Sequence, residues 1–352
     1  MNLRKAAIRA GLEALYFSGA WRLFGPLSSG IGTIFTLHHV RPGRPETFQP
    51  NALLEVEPEF LESVIEYLRY RKVDLVSLAE ARRRLHEQDY GSRFVAFTLD
   101  DGYRDNFEFA WPIFKKHDVP ATLFIASSFP QKQGLLWWTV LEQVIAARER
   151  IEIEMHKGIV RVFDCATPEA KDKVYAEIYW WLRGLADERE LRRAVSDLAV
   201  RYDIDPLEPC KTLCMDWSEI RSLAESPLIT IGAHSVNHYM LKKWDAQTVT
   251  QEMRESADEI EKALGARPVD FAYPVGDKTS AAARDFSLAK DAGYALAVTT
   301  RPGVIFPEHR EHMTALPRVS LNGYFQKLRY VDVLRSGVPF SLGSCFRRLD
   351  VE

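Results

Sequence analysis

Phe94-Val-Ala-Phe-Thr-Leu-Asp-Asp-Gly-Tyr103 is the stretch from which the fold of this chain is best predicted. Its apolar run is rich in aromatic and β-branched residues, which predicts a buried strand that stops at two carboxylates and a turn-forming glycine. Neighbouring side chains on a strand point in opposite directions, so Asp100 and Asp101 act as a pair only where the strand ends. The carboxyl ends of strands are also where α/β barrels and open α/β sheets place their chemistry. Taken alone, the stretch fits an Asx turn equally well.

Similar strand patterns alternate with amphipathic helices along the rest of the chain. Strands are predicted at 33–40, 121–126, 228–232, 270–273, 295–299 and 315–319. Helices are predicted at about 57–70, from just after Leu78 to about Glu87, and from about 246 to a cap at Gly265. Strand, helix and strand in close succession indicate a parallel sheet. Residues 131–215 break that rhythm with a Trp pair, a helix, a hairpin at 151–163 and two charged helices, so we expect an insertion over one edge of the barrel.

Composition sets limits on the class of protein. A chain of 352 residues with 46% hydrophobic and 27% charged residues fits one large α/β domain with an insertion, or two domains. The net charge of −3 gives no general attraction to nucleic acid. Cys165, Cys210, Cys214 and Cys345 are too few for a disulfide scaffold. Cys210 and Cys214 have the spacing of half a metal site, but no second pair stands nearby to complete it.

The N-terminal segment begins with basic residues, as a signal peptide does. Arg9, Glu13 and Arg22 interrupt the apolar region that should follow, and no small-residue cleavage site appears. No uncharged apolar run reaches the roughly 18 residues of a transmembrane helix either. We therefore expect a cytoplasmic protein, with association at the inner membrane left open. Residues 5–25 suit an interfacial helix, and they suit packing against the body of the protein as well.

A second candidate site element is the pair His234 and His238, four residues apart just beyond a predicted strand. On a helical turn both imidazoles would face one way and share an ion. This spacing alone is a weak signal, but Asp101 also follows a parallel strand, which predicts the same rim of the fold for all three residues. Two histidines and one carboxylate leave positions open on a divalent metal, as catalytic sites require.

Three motifs together carry a family resemblance: Thr98-Leu-Asp-Asp-Gly-Tyr103, His234-Ser-Val-Asn-His238 and Phe271-Ala-Tyr-Pro-Val-Gly276. In that order they resemble motifs of the polysaccharide deacetylase family, which is carbohydrate esterase group 4 with a NodB-like domain. The resemblance implies an α/β fold, an irregular (β/α)7 barrel, which agrees with the βα rhythm. It covers roughly residues 33–320 apart from the insertion, with a helical segment at 1–32 and a C-terminal extension at 321–352.

The resemblance also implies roles for particular residues. Asp101, His234 and His238 would hold a divalent metal, usually zinc in the family. Asp100 would be the general base for the attacking water. The metal would lower the pKa of that water and polarise the acetamide carbonyl. Val275 stands before the final glycine of the third motif, so its backbone N–H would bind the oxyanion.

One departure from the family pattern concerns the support of Asp100. Many members carry an arginine that orients the base, and the matching position in this chain is Ala272. Another cation, Arg318 or Arg104, would have to tether Asp100, or the support is missing. The sequence leaves these alternatives open.

A second departure concerns the general acid. The family's last motif normally supplies a histidine, and residues 315–321 contain none. A subgroup that includes biofilm poly-N-acetylglucosamine deacetylases has that histidine on an early strand instead. Phe35-Thr-Leu-His-His-Val40 matches this permuted pattern, and alignment on the valine selects His38 with His39 as its neighbour. The alternative is that either histidine is a hydrogen-bonded core residue.

Candidate substrate contacts are Tyr103, Tyr273, Pro274, Trp137 and Trp138. The tryptophans could stack on sugar rings or anchor the insertion to the barrel. The predicted function is metal-dependent removal of N-acetyl groups from an amino sugar in a polysaccharide, an oligosaccharide or a lipid-linked glycan precursor. The alternatives are a hydrolase of the same superfamily that acts on a non-sugar amide, imide or O-acetyl group, and a non-catalytic glycan-binding relative. The oligomeric state is not predicted.

Overall fold

Seven parallel strands close into a barrel in the computed structural model, which describes residues 3–156, 158–343 and 347–352. Cys345, noted above, lies outside the described residues. In chain order the strands are β1 (Gly32–Leu37), β2 (His39–Val40), β3 (Glu55–Val56), β4 (Asp74–Leu75), β5 (Phe94–Leu99), β6 (Ala121–Ile125), β7 (Arg150–His156), β8 (Ile159–Asp164), β9 (Ile229–Ala233), β10 (Asp270–Ala272), β11 (Leu296–Pro302) and β12 (Leu316–Ser320). The barrel order is β1-β12-β11-β10-β9-β6-β5, and β5 pairs back with β1. The α/β barrel predicted from the motifs is confirmed.

Closure of the barrel sets the position of the candidate catalytic residues. Strands β1 and β5 pair in register from Gly32 with Phe94 to Leu37 with Leu99. Every residue of both strands is buried, as the apolar runs in the sequence predict. The next residue on each strand, His38 and Asp100, therefore leaves the barrel at the same level.

The first strand is shorter than the sequence predicted. Residues 33–40 were expected to form one strand, but β1 ends at Leu37 and His39–Val40 forms the short strand β2, paired with β3 outside the barrel. The reason is a competing partner, because the Asp105 carboxylate accepts hydrogen bonds from the Val40 N–H at 3.2 Å and lies 2.6 Å from His39 Nδ1.

Helices surround the barrel. They are α1 (Leu3–Phe17), α2 (Ala20–Ser28), α3 (Pro58–Tyr70), α4 (Leu78–Glu87), α5 (Trp111–Lys116), α6 (Trp137–Ala147), α7 (Pro168–Gly184), α8 (Glu188–Arg201), α9 (Glu208–Leu213), α10 (Trp217–Ala224), α11 (Ala246–Leu264), α12 (Ala283–Asp291), α13 (Leu328–Arg335) and α14 (Val338–Gly343). Helix α11 ends at Gly265 in the left-handed conformation with φ of 78°, the cap predicted from the sequence. Within the described residues, no helix is long and apolar enough to span a membrane.

The predicted insertion lies between β6 and α10. It contains α6, the antiparallel hairpin β7–β8, and α7 to α9. Its apolar side chains form their own buried cluster, which also takes in Tyr103 and Met240 from loops at the carboxyl ends of β5 and β9. The insertion therefore packs against the rim of the barrel that carries the candidate site.

The two ends of the chain pack against each other. Leu12 and Trp21 from α1 and α2 share a buried cluster with Tyr330 and Val333 from α13. The Glu13 carboxylate accepts hydrogen bonds from Arg329 at 2.6 and 2.7 Å. The N-terminal segment therefore packs against the body of the protein through α13, which was one of the two expectations for it.

Candidate active site and metal centre

Asp101, His234 and His238 come together at the carboxyl ends of β5 and β9, as the motif order predicted. His234 Nε2 lies 3.5 Å and His238 Nε2 lies 3.3 Å from Asp101 Oδ1. All three side chains are buried, and their candidate ligand atoms lie within 4.8 Å of one another. Asp101 has a φ of 71° and His238 a φ of 56°, conformations that are uncommon for residues with a Cβ. Such backbone conformations cluster at functional sites, where surrounding structure enforces them.

The two histidines reach Asp101 from a loop, which corrects the prediction of a helical turn. Residues 234–238 are not helical, because the N–H groups of Val236, Asn237 and His238 donate to side-chain acceptors instead of to backbone carbonyls. The Glu252 carboxylate on α11 accepts from the N–H groups of Val236 at 2.9 Å and Asn237 at 2.8 Å. Ser235 Oγ accepts from the His238 N–H at 3.0 Å, so this hydroxyl fixes the loop, as the sequence predicted.

The donor set fits a divalent cation. His234 Nδ1 lies 2.6 Å from the Ala272 carbonyl oxygen, so this nitrogen carries the proton and leaves the Nε2 lone pair facing Asp101. Asp101 Oδ1 is buried and has no hydrogen-bond partner among the described residues. Burial alone would raise the pKa of Asp101, but the neighbouring His238 and His234 imidazoles hold it well below its usual value. A buried carboxylate oxygen and an imidazole lone pair directed at one point are what a cation such as zinc requires.

Asp100 has a different partner from Asp101. Arg318 on β12 donates from Nη1 to Asp100 Oδ1 at 2.7 Å and from Nη2 to Oδ2 at 2.6 Å. Arg318 also donates to the Thr299 carbonyl at 2.9 Å and to Thr98 Oγ1 at 2.9 Å, which fixes its guanidinium. Burial would raise the pKa of Asp100, but the Arg318 charge, with smaller contributions from the neighbouring His234 and His38, lowers it below the usual value. Asp100 is therefore an ionised carboxylate held in one orientation.

Arg318 resolves the alternatives left by Ala272. Arg104, the other cation considered, forms an ion pair with Glu219 at 2.9 Å and donates to the Cys214 carbonyl at 3.0 Å, so it is engaged away from Asp100. Ala272 itself contributes its carbonyl oxygen to His234. The arginine that orients Asp100 thus comes from the last strand of the barrel.

The two adjacent histidines have different surroundings. His39 is buried, bound to Asp105 through Nδ1 at 2.6 Å and stacked on the Tyr103 ring with centroids 3.6 Å apart. His38 is partly exposed, and its carbonyl accepts from Asn106 Nδ2 at 2.7 Å. Burial of the His38 ring lowers its pKa, an effect that the nearby Asp101 and Asp100 charges oppose. His38 is thus the histidine on whose pKa both carboxylates act.

Val275 lies in a turn just after β10, with a φ of 61°, followed by Gly276 with a φ of 69°. Thr300 fixes this turn, since its Oγ1 donates to the Val275 carbonyl at 2.6 Å and its N–H donates to the Gly276 carbonyl at 3.0 Å. A β-branched residue in this conformation is strained, at a cost of roughly 1–3 kcal/mol. Among the described residues the Val275 N–H has no backbone or side-chain acceptor, so it remains a free donor.

Of the predicted substrate contacts, Trp138 lies beside a candidate metal ligand. Its ring centroid is 5.0 Å from that of His238, and its buried Nε1 has no acceptor among the described residues. Tyr103 is buried beneath His39, and its hydroxyl likewise lacks a partner there. Burial raises the pKa of this hydroxyl well above its usual value, and the Asp101 charge adds to the rise.

The other three predicted contacts face away from the site or are covered. Trp137 is buried inside the insertion and stacks on Tyr179 with centroids 5.2 Å apart, which is the anchoring alternative. Tyr273 is fully buried, and its hydroxyl donates to the Thr314 carbonyl at 2.7 Å. Pro274 is buried, and its carbonyl accepts from the Gly276 N–H. The structure does not bring these three side chains to the carboxylates.

A cavity of about 140 Å³ adjoins the site between the loop after β1 and helix α6. Its lining residues are His39, Arg41, Arg44, Asn51, Leu54, Glu55, Trp138, Thr139, Glu142, Gln143 and Leu213. The charges in the lining neutralise each other, because Arg41 and Arg44 lie 2.8 and 2.6 Å from Glu55, and Arg44 lies 2.9 Å from Glu142. The cavity is therefore polar without a net charge.

Sequence reasoning missed the residues that support the site. Asp105 and Asn106 lie just beyond the first motif, where the chain enters a π-helical turn at Asn106–Ala110 ahead of Pro112. A proline has no N–H for the helical ladder, which was a usable signal for a local irregularity. Glu252 occupies the buried face of α11, and a carboxylate on an apolar helix face is a second such signal.

Comparisons with known proteins agree with this geometry. The family model described as polysaccharide deacetylase matches residues 87–297. No curated protein matches the chain. The Streptococcus pyogenes deacetylase PplD, solved in complex with acetate, is similar with 18% identity and a TM-score of 0.54, over 83% of this chain and 92% of that one. IcaB from Ammonifex degensii is similar with 16% identity and a TM-score of 0.53, over 87% of this chain and 97% of that one. At these identities the likeness concerns the fold.

Proposed function

Because this chain belongs to the polysaccharide deacetylase family, we propose that it hydrolyses the N-acetyl group of an amino sugar in a polysaccharide, an oligosaccharide or a lipid-linked glycan precursor. The observation that carries the proposal is that two adjacent carboxylates have different partners. Asp101 faces two imidazoles, whereas Arg318 binds both oxygens of Asp100. A turn that merely closed a strand would need neither set of partners.

Asp101, His234 and His238 would hold the divalent cation, and we propose zinc because imidazole and carboxylate ligands in an open three-residue set suit it. When bound, the metal polarises the acetamide carbonyl and lowers the pKa of the attacking water. His234 Nδ1 is hydrogen-bonded to the Ala272 carbonyl, which keeps the ring in the tautomer and orientation that binding needs.

The remaining steps fall to residues that do not bind the metal. Asp100, ionised and oriented by Arg318, takes a proton from the water as its oxygen attacks the carbonyl carbon. The free N–H of Val275 donates to the oxyanion that forms. His38 then gives its proton to the amine nitrogen as the C–N bond breaks, so the products are acetate and a free amino sugar.

The cavity beside the site supports a glycan as the substrate. Its lining offers many donors and acceptors, but its arginines and glutamates pair with each other, which favours an uncharged polyhydroxyl ligand over an anion. Trp138, which lines both the cavity and the site, provides an aromatic surface between them. A small cyclic amide would leave this cavity unused, whereas a neighbouring sugar unit would occupy it.

The test is acetate release by the purified chain from N-acetylglucosamine, N-acetylated oligosaccharides, an O-acetylated sugar and cyclic amides. We expect release from N-acetylated sugars, with a higher kcat/KM for oligosaccharides than for the monosaccharide. Asp100→Asn should abolish turnover while metal binding persists, and Arg104→Ala, whose side chain pairs with Glu219, is the matched control that should retain it. Turnover of cyclic amides or O-acetyl esters alone would contradict the sugar N-deacetylase, and glycan binding without any turnover would indicate a non-catalytic relative.

A further inference from the structure

Helix α2 presents an apolar face to the exterior. Its buried residues, Trp21, Gly25 and Ser28, share one side, where Ser28 Oγ donates to the Ser336 carbonyl at 2.7 Å. Two of these three residues are small or polar, so Trp21 is the large apolar side chain that the helix buries, and Leu23, Phe24 and Leu27 lie on other sides. The usual arrangement of a surface helix, with the larger apolar residues toward the core, holds here only for Trp21.

The exposed side chains on that face are large. Leu23 and Leu27, one turn apart, are 72% and 74% exposed, and Phe24 beside them is 51% exposed. Phe17, at the end of α1 just before the turn into α2, is 74% exposed. Single exposed apolar residues are ordinary on proteins. Four within eleven residues form a patch of the kind that contacts another protein or a membrane. We call Phe17, Leu23, Phe24 and Leu27 the apolar face.

The charges around the apolar face decide what covers it. The sequence from Met1 to Ile31 contains four basic residues and one acidic residue, in a chain whose net charge is −3. The one acidic residue, Glu13, is held by Arg329 and Lys327. Arg9 and Arg22 are exposed, and neither forms an ion pair with a described residue, although Arg9 Nη2 donates to the Tyr324 carbonyl at 3.5 Å. An excess of positive charge on the segment that carries these large apolar side chains complements an anionic lipid surface.

We propose that α1 and α2 dock this protein on an anionic bilayer, with the apolar face in the acyl boundary and Arg9 and Arg22 at the headgroups. The segment is anchored to the body through Leu12 and Trp21, so the docked surface is fixed relative to the barrel. The proposal does not depend on the deacetylase activity, since it concerns residues outside the candidate site.

The test is flotation of the full chain with vesicles of phosphatidylcholine alone and with added phosphatidylglycerol. We expect binding to the anionic vesicles, weakened about tenfold or more in the double variant Leu23→Ser/Leu27→Ser because two large apolar side chains are lost. The matched control is Trp180→Ser/Val200→Ser, which removes two side chains of the insertion that are 59% and 66% exposed, and it should bind as the parent does. Arg9→Gln and Arg22→Gln should each weaken anionic binding about fivefold.

Thermal unfolding of each variant checks that it still folds. Because the substituted side chains are exposed, we expect unchanged melting temperatures. The proposal is overturned if the parent does not float with anionic vesicles, or if both double variants bind equally. A dimer in solution that Leu23→Ser/Leu27→Ser dissociates, without vesicle binding, would assign the apolar face to a second copy of the chain instead.

Discussion

Arg318 donates hydrogen bonds to both carboxylate oxygens of Asp100, at 2.7 and 2.6 Å, although the two residues are 218 positions apart in the sequence. Both side chains are buried, so the pair is shielded from water and its removal is costly. The fork geometry of the guanidinium fixes the plane of the carboxylate, which a lysine ammonium would not do. Asp100 therefore depends on Arg318 both for its charge and for its orientation.

We expect Arg318→Ala to destabilise the fold by about 3–5 kcal/mol, because it leaves a buried carboxylate without its cation. Arg318→Lys keeps the charge and should lose less stability but still lower kcat. Since Arg318 holds the pKa of Asp100 down, its loss raises that pKa, and the acid limb of the pH–rate profile should move to higher pH. Urea unfolding and pH–rate profiles check this, and an acid limb that stays in place in Arg318→Lys and Arg318→Ala would contradict the role.

The second prediction separates the two histidines. His38→Ala should lower kcat for an N-acetyl sugar by about 10²–10⁴, the usual contribution of a general acid. It should have little effect on an activated aryl ester, because a phenolate leaves without a proton. His39→Ala removes a ring held by Asp105 and Tyr103, so we expect its main effect on the free energy of unfolding. A large kcat loss confined to His39→Ala would show that His39, and not His38, is the general acid.

The third prediction concerns the metal. The purified chain should bind one zinc ion at this site, and chelation should remove activity and lower the melting temperature, since a ligand that binds only the folded state stabilises it. Asp101→Asn should lose that ion. Glu62→Gln is the matched control, because Glu62, Glu66 and His117 form the other cluster of candidate ligands on the described part of the chain. Loss of zinc from Glu62→Gln, with retention in Asp101→Asn, would place the ion at Glu62, Glu66 and His117 and contradict the prediction.

The fourth prediction concerns Asp270, at the start of β10. Burial raises its pKa from 3.8 to about 6, and its Oδ1 has no partner among the described residues. The folded state therefore binds more protons than the unfolded state between these values, and stability falls as pH rises through that window. Asp270→Asn removes this effect and should stabilise the protein by up to about 3 kcal/mol at pH 8, and by about half as much at pH 5.

Urea unfolding at the two pH values measures the Asp270 effect. Asp291→Asn, an exposed position at the end of α12, is the control and should change stability by less than about 0.5 kcal/mol at either pH. A gain from Asp270→Asn that is equal at both pH values would show that ionisation is not its cause.

Much of the site was predictable because its elements are local in sequence. Asp100 and Asp101 follow an apolar run, and the spacing of His234 and His238 is visible by inspection. The barrel then brings such strand ends together by rule, whatever the details of packing. The prediction from these motifs needed no knowledge of a distant contact.

What could not be predicted depends on contacts between distant parts of the chain. Arg318 and Arg104 were equal candidates until closure of β1 against β12 brought one of them to Asp100. The loop at 234–238 has the spacing of a helical turn, and only Glu252, fifteen residues beyond Asn237, selects the other conformation. Trp137 and Trp138 are adjacent, yet helix α6 sends one into the insertion and the other toward His238.

The position of Arg318 on the last barrel strand has a consequence for the order of events during synthesis. A chain that ends before β12 contains Asp101, His234, His238 and His38, but it lacks the cation that neutralises Asp100. The unfinished protein thus carries Asp100 next to Asp101 without the cation that neutralises it. We therefore expect the proposed hydrolysis to begin only when translation has delivered the final strand, so that the appearance of activity would report a complete barrel.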